Sequence, residues 1–554
     1  MILFSCVWAC FLAIAQPGGG AGPEAAPVAT PVGFERMHQV EWAGARSISA
    51  APNGAVVVAT GDEGVRAWRV LPTGELEERW TASPERLGAG EGWRTVCVAV
   101  SPNARHAAVT MRPAEPWAEA GRVVVVESAS GRVVWSGTTG YGPRELAWLE
   151  NSSGFVVADE GPFGVERGEA PEGAEPSPDG SPAQGPILSV IDPPGSVTLV
   201  RAARGSWDDV DRTTLPLSNE HIEPERPGAG PSGRIVRLHP MNAVVPELDM
   251  EPAGVATLGR IAYVLLPANN AVVSVDVIAK TIGSIRPLGS FVQTLDASSD
   301  DGGIRIDKRL RAMPMPTALA LFRDASGRAI MATANTGSLR GDLRDPGHPF
   351  QDHAPLLELL EQDFLAEVLA NIPAVRDPAD LGSLRVCTFF GTEREQGLLR
   401  PHALGARSVT AWDGTSLERY SDTGSAFEQA IAEQDPARFN AFPEDPETPD
   451  ASSTTTGPQP TSIDVISVGG RLLALSAFRN PGGFGVTDLT VRSAARLVGL
   501  KVTAAEGGLG SADAAWVRWG GSWLIATAHE TGGFVTVHLL DMAPADEPRE
   551  EPED

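Results

Sequence analysis

Short apolar runs with a period of two recur along the chain, separated by Gly, Pro, Asn and Ser. Between residues 95 and 138 four runs follow one another: Thr-Val-Cys-Val-Ala-Val, His-Ala-Ala-Val-Thr-Met, Arg-Val-Val-Val-Val-Glu and Arg-Val-Val-Trp-Ser-Gly. The last two are joined by Ser-Ala-Ser-Gly, a glycine-containing turn, so the segment reads as a four-stranded meander. The same unit spans 46–82 and 254–287, recurs at 145–202 with a loop inserted, and begins again near 317, 461 and 512. A four-stranded unit that returns every ~40–50 residues, and cannot bury both faces alone, predicts propeller blades. The expected fold is an all-β propeller of about seven four-stranded blades, similar to WD40 or YVTN arrays.

The chain is longer than seven bare blades need, and the surplus falls in identifiable places. Residues 160–186, 204–250 and 441–460 read as polar or Gly/Pro-rich loops. Leu356, Leu357, Leu359, Leu360, Phe364, Leu365, Val368 and Leu369 follow helical spacing, which predicts a helical insertion over about 354–371. A shorter helix is expected at 425–434, with Phe427 and Ile431 on one side.

The ends bear on compartment. Residues 2–15 are one apolar run closed by Ala13-Ile14-Ala15, which predicts a signal peptide over 1–15 cleaved before Gln16. A Gly/Pro-rich linker (16–35), a single propeller domain (36–541) and an acidic disordered tail (542–554) complete the expected plan. Export to the periplasm or exterior follows, and no later stretch is apolar enough for a membrane helix. Cys97 and Cys387 would remain in the mature chain, as buried thiols or as a disulfide between distant strands.

Charge narrows the partners. With 44 Lys+Arg against 71 Asp+Glu the formal net charge is −27. That excludes a phosphate-tracking nucleic-acid face and disfavours anionic lipid. Lysine occurs only at 280, 308 and 501, so a lysine nucleophile is not expected. The sequence holds no G-x-S-x-G, H-E-x-x-H, Walker A or EF-hand loop.

Three constellations carry candidate chemistry. Asp296-Ala-Ser-Ser-Asp300-Asp301-Gly302-Gly303 places carboxylates beside glycines that permit a tight turn, a pattern able to wrap Ca²⁺ or another divalent cation, or simply a solvated acidic turn. His348, Asp352 and His353 offer imidazole and carboxylate ligands for a transition metal, although an ordinary loop reads as well. Asp159 and Glu160 follow an apolar strand and could project at a channel mouth or serve as a loop cap.

A collinear set of segments gives a further reading. It comprises Val157-Ala-Asp-Glu-Gly161, Glu251-Pro-Ala-Gly-Val-Ala256, Asn269-Asn-Ala-Val272, Leu295-Asp-Ala-Ser-Ser-Asp-Asp-Gly-Gly-Ile304 and Thr333-Ala-Asn335. Gly405-Ala-Arg-Ser-Val409, Trp412-Asp413, Phe439-Asn440 and Gly457-Pro-Gln-Pro460 complete it. Over roughly 40–540 the chain resembles the choice-of-anchor I family, bacterial relatives of mesenchyme-specific cell surface glycoproteins. The resemblance implies a secreted or surface-attached propeller, in some members alkaline phosphatase-like. It also adds Glu251 to the candidate acids Asp159, Glu160, Asp296, Asp300 and Asp301. At the starts of the innermost strands the family pattern has Pro followed by an acid. This chain instead has Arg144, Ala253, Thr317 and Thr461 after proline. The expected axis is therefore short of carboxylates. The favoured function is a non-enzymatic scaffold that binds a protein, glycan or surface ligand. The alternatives are a metal-dependent phosphoester hydrolase and a Ca²⁺-binding structural protein.

Overall fold

The computed structural model describes residues 31–169, 185–223, 236–239, 245–340, 351–393 and 396–542. The expected signal peptide, the first part of the linker, His348 and nearly all of the acidic tail lie outside the described residues.

Seven four-stranded antiparallel sheets form the body. Their innermost strands are Ser47–Ala50, Arg94–Val100, Pro143–Trp148, Val255–Leu258, Ala318–Arg323, Asp464–Val468 and Ser511–Trp519, which we number as blades 1 to 7. Each innermost strand neighbours the next, and that of blade 7 lies against that of blade 1, so the ring closes. The two ends of the chain also meet in one sheet. The outer strand of blade 7 is Val32–Glu41, from the other end of the chain, paired with Phe534–Met542 from Val32↔Met542 to Glu41↔Phe534. This strand begins inside the span expected to be linker, and its partner runs into the first residue of the expected tail.

Blade-to-blade packing explains the continuous apolar runs. Strand Val57–Gly61 is buried throughout. Its Val57 and Ala59 join Trp68, Val517, Leu524 and Ala526 in a cluster between blades 1 and 7, while Val58 packs toward Val98 and Val109 of blade 2. A sheet covered on both faces needs apolar residues at consecutive positions, not alternation alone.

The topology sorts the connections. In a four-stranded meander the first and third turns share one end of the blade. The second turn and the link to the next blade share the other. The first kind is short in every blade, as between Asp276 and Thr281 or Trp519 and Ser522. The long connections are all of the second kind: 160–195 inside blade 3, 217–254 between blades 3 and 4, 288–317 between 4 and 5, 335–408 inside 5, and 423–463 between 5 and 6. Their described residues crown one end of the ring over blades 3 to 6. The same end over blades 7, 1 and 2 carries shorter connections.

The crown has structure of its own. Phe291–Leu295, Lys308–Met313, His402–Leu404, Arg385–Cys387 and His353–Pro355 form a five-stranded sheet. The helix expected over 354–371 is two short helices, Leu356–Glu361 and Glu367–Ala370. The chain breaks at Asp363, whose φ is +54°, and Leu365 bridges to Leu398. That turn buries Leu356, Leu359, Leu365 and Leu369 while Val368 stays 47% exposed, so the apolar set is served without one continuous helix. The second helix is Ala426–Gln434, with Phe427 and Ile431 buried. Segment 160–186 contributes a strand, Gly164–Arg167, paired with Ile187–Ile191, and 204–250 contains the outer strand of blade 3, Val210–Pro216.

Candidate functional site

An innermost strand has a neighbour in its own sheet on one side only. Its other edge faces the axis with unpaired N–H groups, which need acceptors when buried. Side chains of the preceding blade supply them. Ile48 N–H donates to Asp513 Oδ2 (2.9 Å), Val255 N–H to Glu145 Oε2 (3.1 Å) and Trp516 N–H to Asp464 Oδ2 (3.4 Å). Ser47 Oγ and Ser49 Oγ accept from Val98 N–H (3.2 Å) and Val100 N–H (3.0 Å), and Ser462 Oγ accepts from Ala514 N–H (3.2 Å). These ties stitch successive blades at the hub.

Three carboxyls therefore stand on an axis expected to be short of them. Burial pushes Glu145 up to about 8, with Asp513 adding to the rise; it lifts Asp513 to about 7 and Asp464 to about 6. Positions 144, 253, 317 and 461 carry no acid, but acids stand close by in Pro143-x-Glu145, Ser462-x-Asp464 and Ser511-x-Asp513. Cys97 sits in the same hub, and burial beside Glu145 pushes its thiol up to about 12. Cys97 and Cys387 are both free and buried.

The six sequence-predicted acids occupy two places. Asp159 ends the second strand of blade 3 and is fully buried; Thr198 Oγ1 (2.6 Å) and Ser196 Oγ (3.2 Å) donate to its Oδ2, while Oδ1 has no partner. Burial raises it to about 7. Glu160, the next residue, lies 3.7 Å from Arg112 Nη1 and 3.8 Å from Arg144 Nε. Glu251 pairs with Arg340 at 3.5 Å, and burial, opposed by Arg340 and reinforced by Glu160, lifts it to about 7. Asp296, Asp300 and Asp301 lie in the connection between blades 4 and 5. Asp296 is fully buried and accepts Arg305 N–H (2.6 Å) and Ser298 N–H (3.4 Å); burial holds it above the usual carboxylate range. Asp300 is exposed and receives Ser383 Oγ at 3.5 Å. Asp301 turns inward; Oδ1 accepts Gly303 N–H (3.2 Å) and Oδ2 accepts no hydrogen bond, with Arg305 Nε 3.9 Å away. Among the described residues no three of His, Cys, Asp or Glu converge as they would around a metal ion. The second constellation is likewise divided: Asp352 is bound to Arg237, and His353 Nδ1 lies 3.1 Å from Arg385.

Buried arginines, none of them a candidate site residue of the sequence, tie the segments of the crown to one another. Arg407 reaches Asp296 O (2.7 Å) and Glu428 Oε1 (2.6 Å) with one guanidinium nitrogen, and Ser453 O (2.6 Å) and Thr455 O (3.0 Å) with another. It thereby folds the polar loop 441–460 inward, and Ser452, Ser453, Thr455 and Thr456 are buried. Arg237 binds Asp352, and Arg340 binds Asp249, whose Oδ2 also accepts His239 N–H (2.8 Å). Arg340 N–H in turn donates to Asp352 (3.1 Å), so four separate segments form one network.

The chain is similar to several known proteins. A stretch of 116 residues is 29% identical to Gigasin-3a of Magallana gigas, covering 20% of this chain and 41% of that relative, well under its whole length. The β-propeller domain of Myceliophteria thermophila Cps50 (Swd1) matches over 91% of this chain and 99% of its own, with 8% identity and a TM-score of 0.43. The C-terminal WD40 domain of Sif2 matches over 92% and 98%, with 9% identity and a TM-score of 0.40. The model of the choice-of-anchor I domain matches residues 46–491, from the start of the innermost strand of blade 1 into blade 6. With most of the ring inside that match, the chain belongs to the choice-of-anchor I family.

Proposed function

We propose that this protein is a non-enzymatic binding scaffold, secreted or held at the cell surface, that presents its crowned face to a protein, glycan or other surface ligand. The observation that supports this reading is where the charges are used. Arg237, Arg340 and Arg407 are spent on locking the long connections, and Asp352, Asp249 and Glu428 are their buried partners. A face held this rigidly loses little entropy on binding, which favours recognition. Family membership supports exposure at the cell surface, and the run 2–15 supports export. The deciding assay incubates the purified protein with p-nitrophenyl phosphate and Ca²⁺, Mg²⁺ or Zn²⁺. The expected outcome is release no faster than buffer. Metal-dependent turnover that disappears in both Asp300→Ala and Glu160→Ala would replace the scaffold with a phosphoester hydrolase. Export is checked by sequencing the N-terminus of secreted protein, expected at Gln16.

A second reading has one observation in its favour. The inward Asp301 carboxylate has an oxygen without a hydrogen bond, and Asp296, Glu428 and Asp450 are near enough to interact. Burial, reinforced by Asp296, Asp301 and Glu428, lifts Asp450 to about 7. A Ca²⁺ ion stiffening the 296–303 turn would relieve that crowding. Calorimetric titration with Ca²⁺ giving no heat and no change in melting temperature would discard it.

A further inference from the structure

The open side of the crowned end carries a concentration of positive charge that the acidic composition does not lead one to expect. Arg94 opens the innermost strand of blade 2 and Arg112 closes the strand beside it; the register sets them directly opposite each other. Directly opposed side chains in an antiparallel pair have Cβ atoms about 4.5–5.5 Å apart, and like charges there are destabilising. Arg144, second in the innermost strand of blade 3, joins them. Burial lowers the basicity of Arg112, and the guanidinium groups of Arg144, Arg94 and Arg46 lower it further against the opposing pull of Glu160.

The neighbouring arginine shows what a satisfied group looks like here. Arg46 reaches Asp62, lies 3.7 Å from Glu530 and donates to Thr95 O at 3.2 Å. Among the described residues, Arg94, Arg112 and Arg144 have no hydrogen-bond acceptor. The carboxylate near them, Glu160, stands 3.7 and 3.8 Å from Arg112 and Arg144, too far for hydrogen bonds. Arg112 and Arg144, with side chains only 27% and 40% exposed, thus share one carboxylate, and exposed Arg94 stands opposite Arg112 in the register. The chain has acids in excess that could have neutralised them. Guanidinium forks left with free N–H donors match the oxygens of a tetrahedral anion.

We infer that Arg94, Arg112 and Arg144 form a binding site for a tetrahedral oxyanion, the phosphate or sulfate group of an anionic ligand, with Glu160 as an internal competitor for the same guanidinium groups. The inference deepens the scaffold reading by naming the chemistry recognised at the open side of that face.

The test is calorimetric titration of the intact protein, in a low-salt acetate-free buffer, with inorganic sulfate, inorganic phosphate and a phosphorylated monosaccharide. Saturable binding of at least one anion is expected. Arg112→Gln should weaken it at least tenfold. Glu160→Gln should tighten it severalfold, a change opposite in sign to any loss of folding. Arg122→Gln, which alters an arginine bonded to Gly88 O elsewhere in blade 2 (2.6 Å), should leave it unchanged. Tighter binding of the sugar ester than of the inorganic ions identifies a glycan-borne group; equal binding identifies the free ion. Absence of binding, or equal affinity in the parent, Arg112→Gln and Glu160→Gln proteins, overturns the inference while leaving the scaffold reading standing. Conversely, phosphoester turnover overturns the scaffold reading and leaves the oxyanion site intact.

Discussion

Replacing Glu145 by glutamine tests whether the hub carboxyls are ties between blades. The side chain reaches across to accept Val255 N–H at 3.1 Å, and glutamine keeps an acceptor oxygen at that place. Its ordinary value of 4.5 is raised to about 8 by burial, with Asp513 contributing. The folded ring therefore holds this carboxyl protonated through neutrality, whereas the unfolded chain ionises it above about 4.5. Between these limits the unfolded state binds fewer protons, so stability present below pH 4.5 is lost as pH rises toward 8. Each unit is worth about 1.4 kcal/mol, which bounds the loss at about 5 kcal/mol, shared with the coupled Asp513. Glu145→Gln cannot ionise and removes this loss. Urea midpoints at pH 5, 6, 7 and 8 should show parent and variant close together at pH 5 and the variant progressively more stable toward pH 8. Two curves that stay parallel across this range, or a variant less stable at pH 8, would refute the assignment.

Three other outcomes are expected. Arg407→Ala strips the charge partner from buried Glu428 and a donor from three backbone carbonyls, and should cost about 3–5 kcal/mol in urea unfolding; Arg407→Lys should recover only part, because the forked geometry is lost. Deleting residues 32–41 removes the outer strand of blade 7 and bares the edge of Phe534–Met542, so size-exclusion chromatography should show association and the melting temperature should fall. An unchanged monomer would mean that the strand contributes little to closure. Cys97 and Cys387 should be inert to a thiol reagent in the folded protein and both react in urea; rapid labelling of the native chain would contradict their burial.

The ring was legible in the sequence because each blade repeats a local pattern: apolar runs of strand length, a glycine turn, and a return at nearly constant spacing. Blade boundaries at 46, 95, 145, 254, 317, 461 and 512 fall within a few residues of the observed innermost strands. The crown was less legible, because its order comes from pairings over long separations. Nothing local in Leu365 announces a bridge to Leu398, so helical spacing over 354–371 reads as one helix where the chain makes two. The polar loop 441–460 reads as solvated, and partners distant in sequence, Arg407 and Arg385 among them, hold it inward.

Charge shows the same limit more sharply. Counting acids after proline locates the missing carboxylates, but a single step along a strand changes what a side chain meets. Arg144 lies beside Glu160 at the mouth, whereas Glu145, the next residue, accepts Val255 N–H from the following blade at the hub. Arg144 at one position and Glu145 at the next are thus two parts of one arrangement. The carboxyls close the ring from within, where burial raises them above the usual carboxylate range and they serve as acceptors. The arginines are left at the rim without enough acids to match them. Because the hub acids are committed to backbone N–H groups of adjacent blades, they are not available to neutralise Arg94, Arg112 and Arg144. A chain carrying 27 net negative charges can therefore still present a local excess of positive charge at the open side of its crowned face. A ligand that senses the whole molecule would be repelled at long range and held only on contact, so its affinity should depend less on added inert salt than binding to an extended basic surface does.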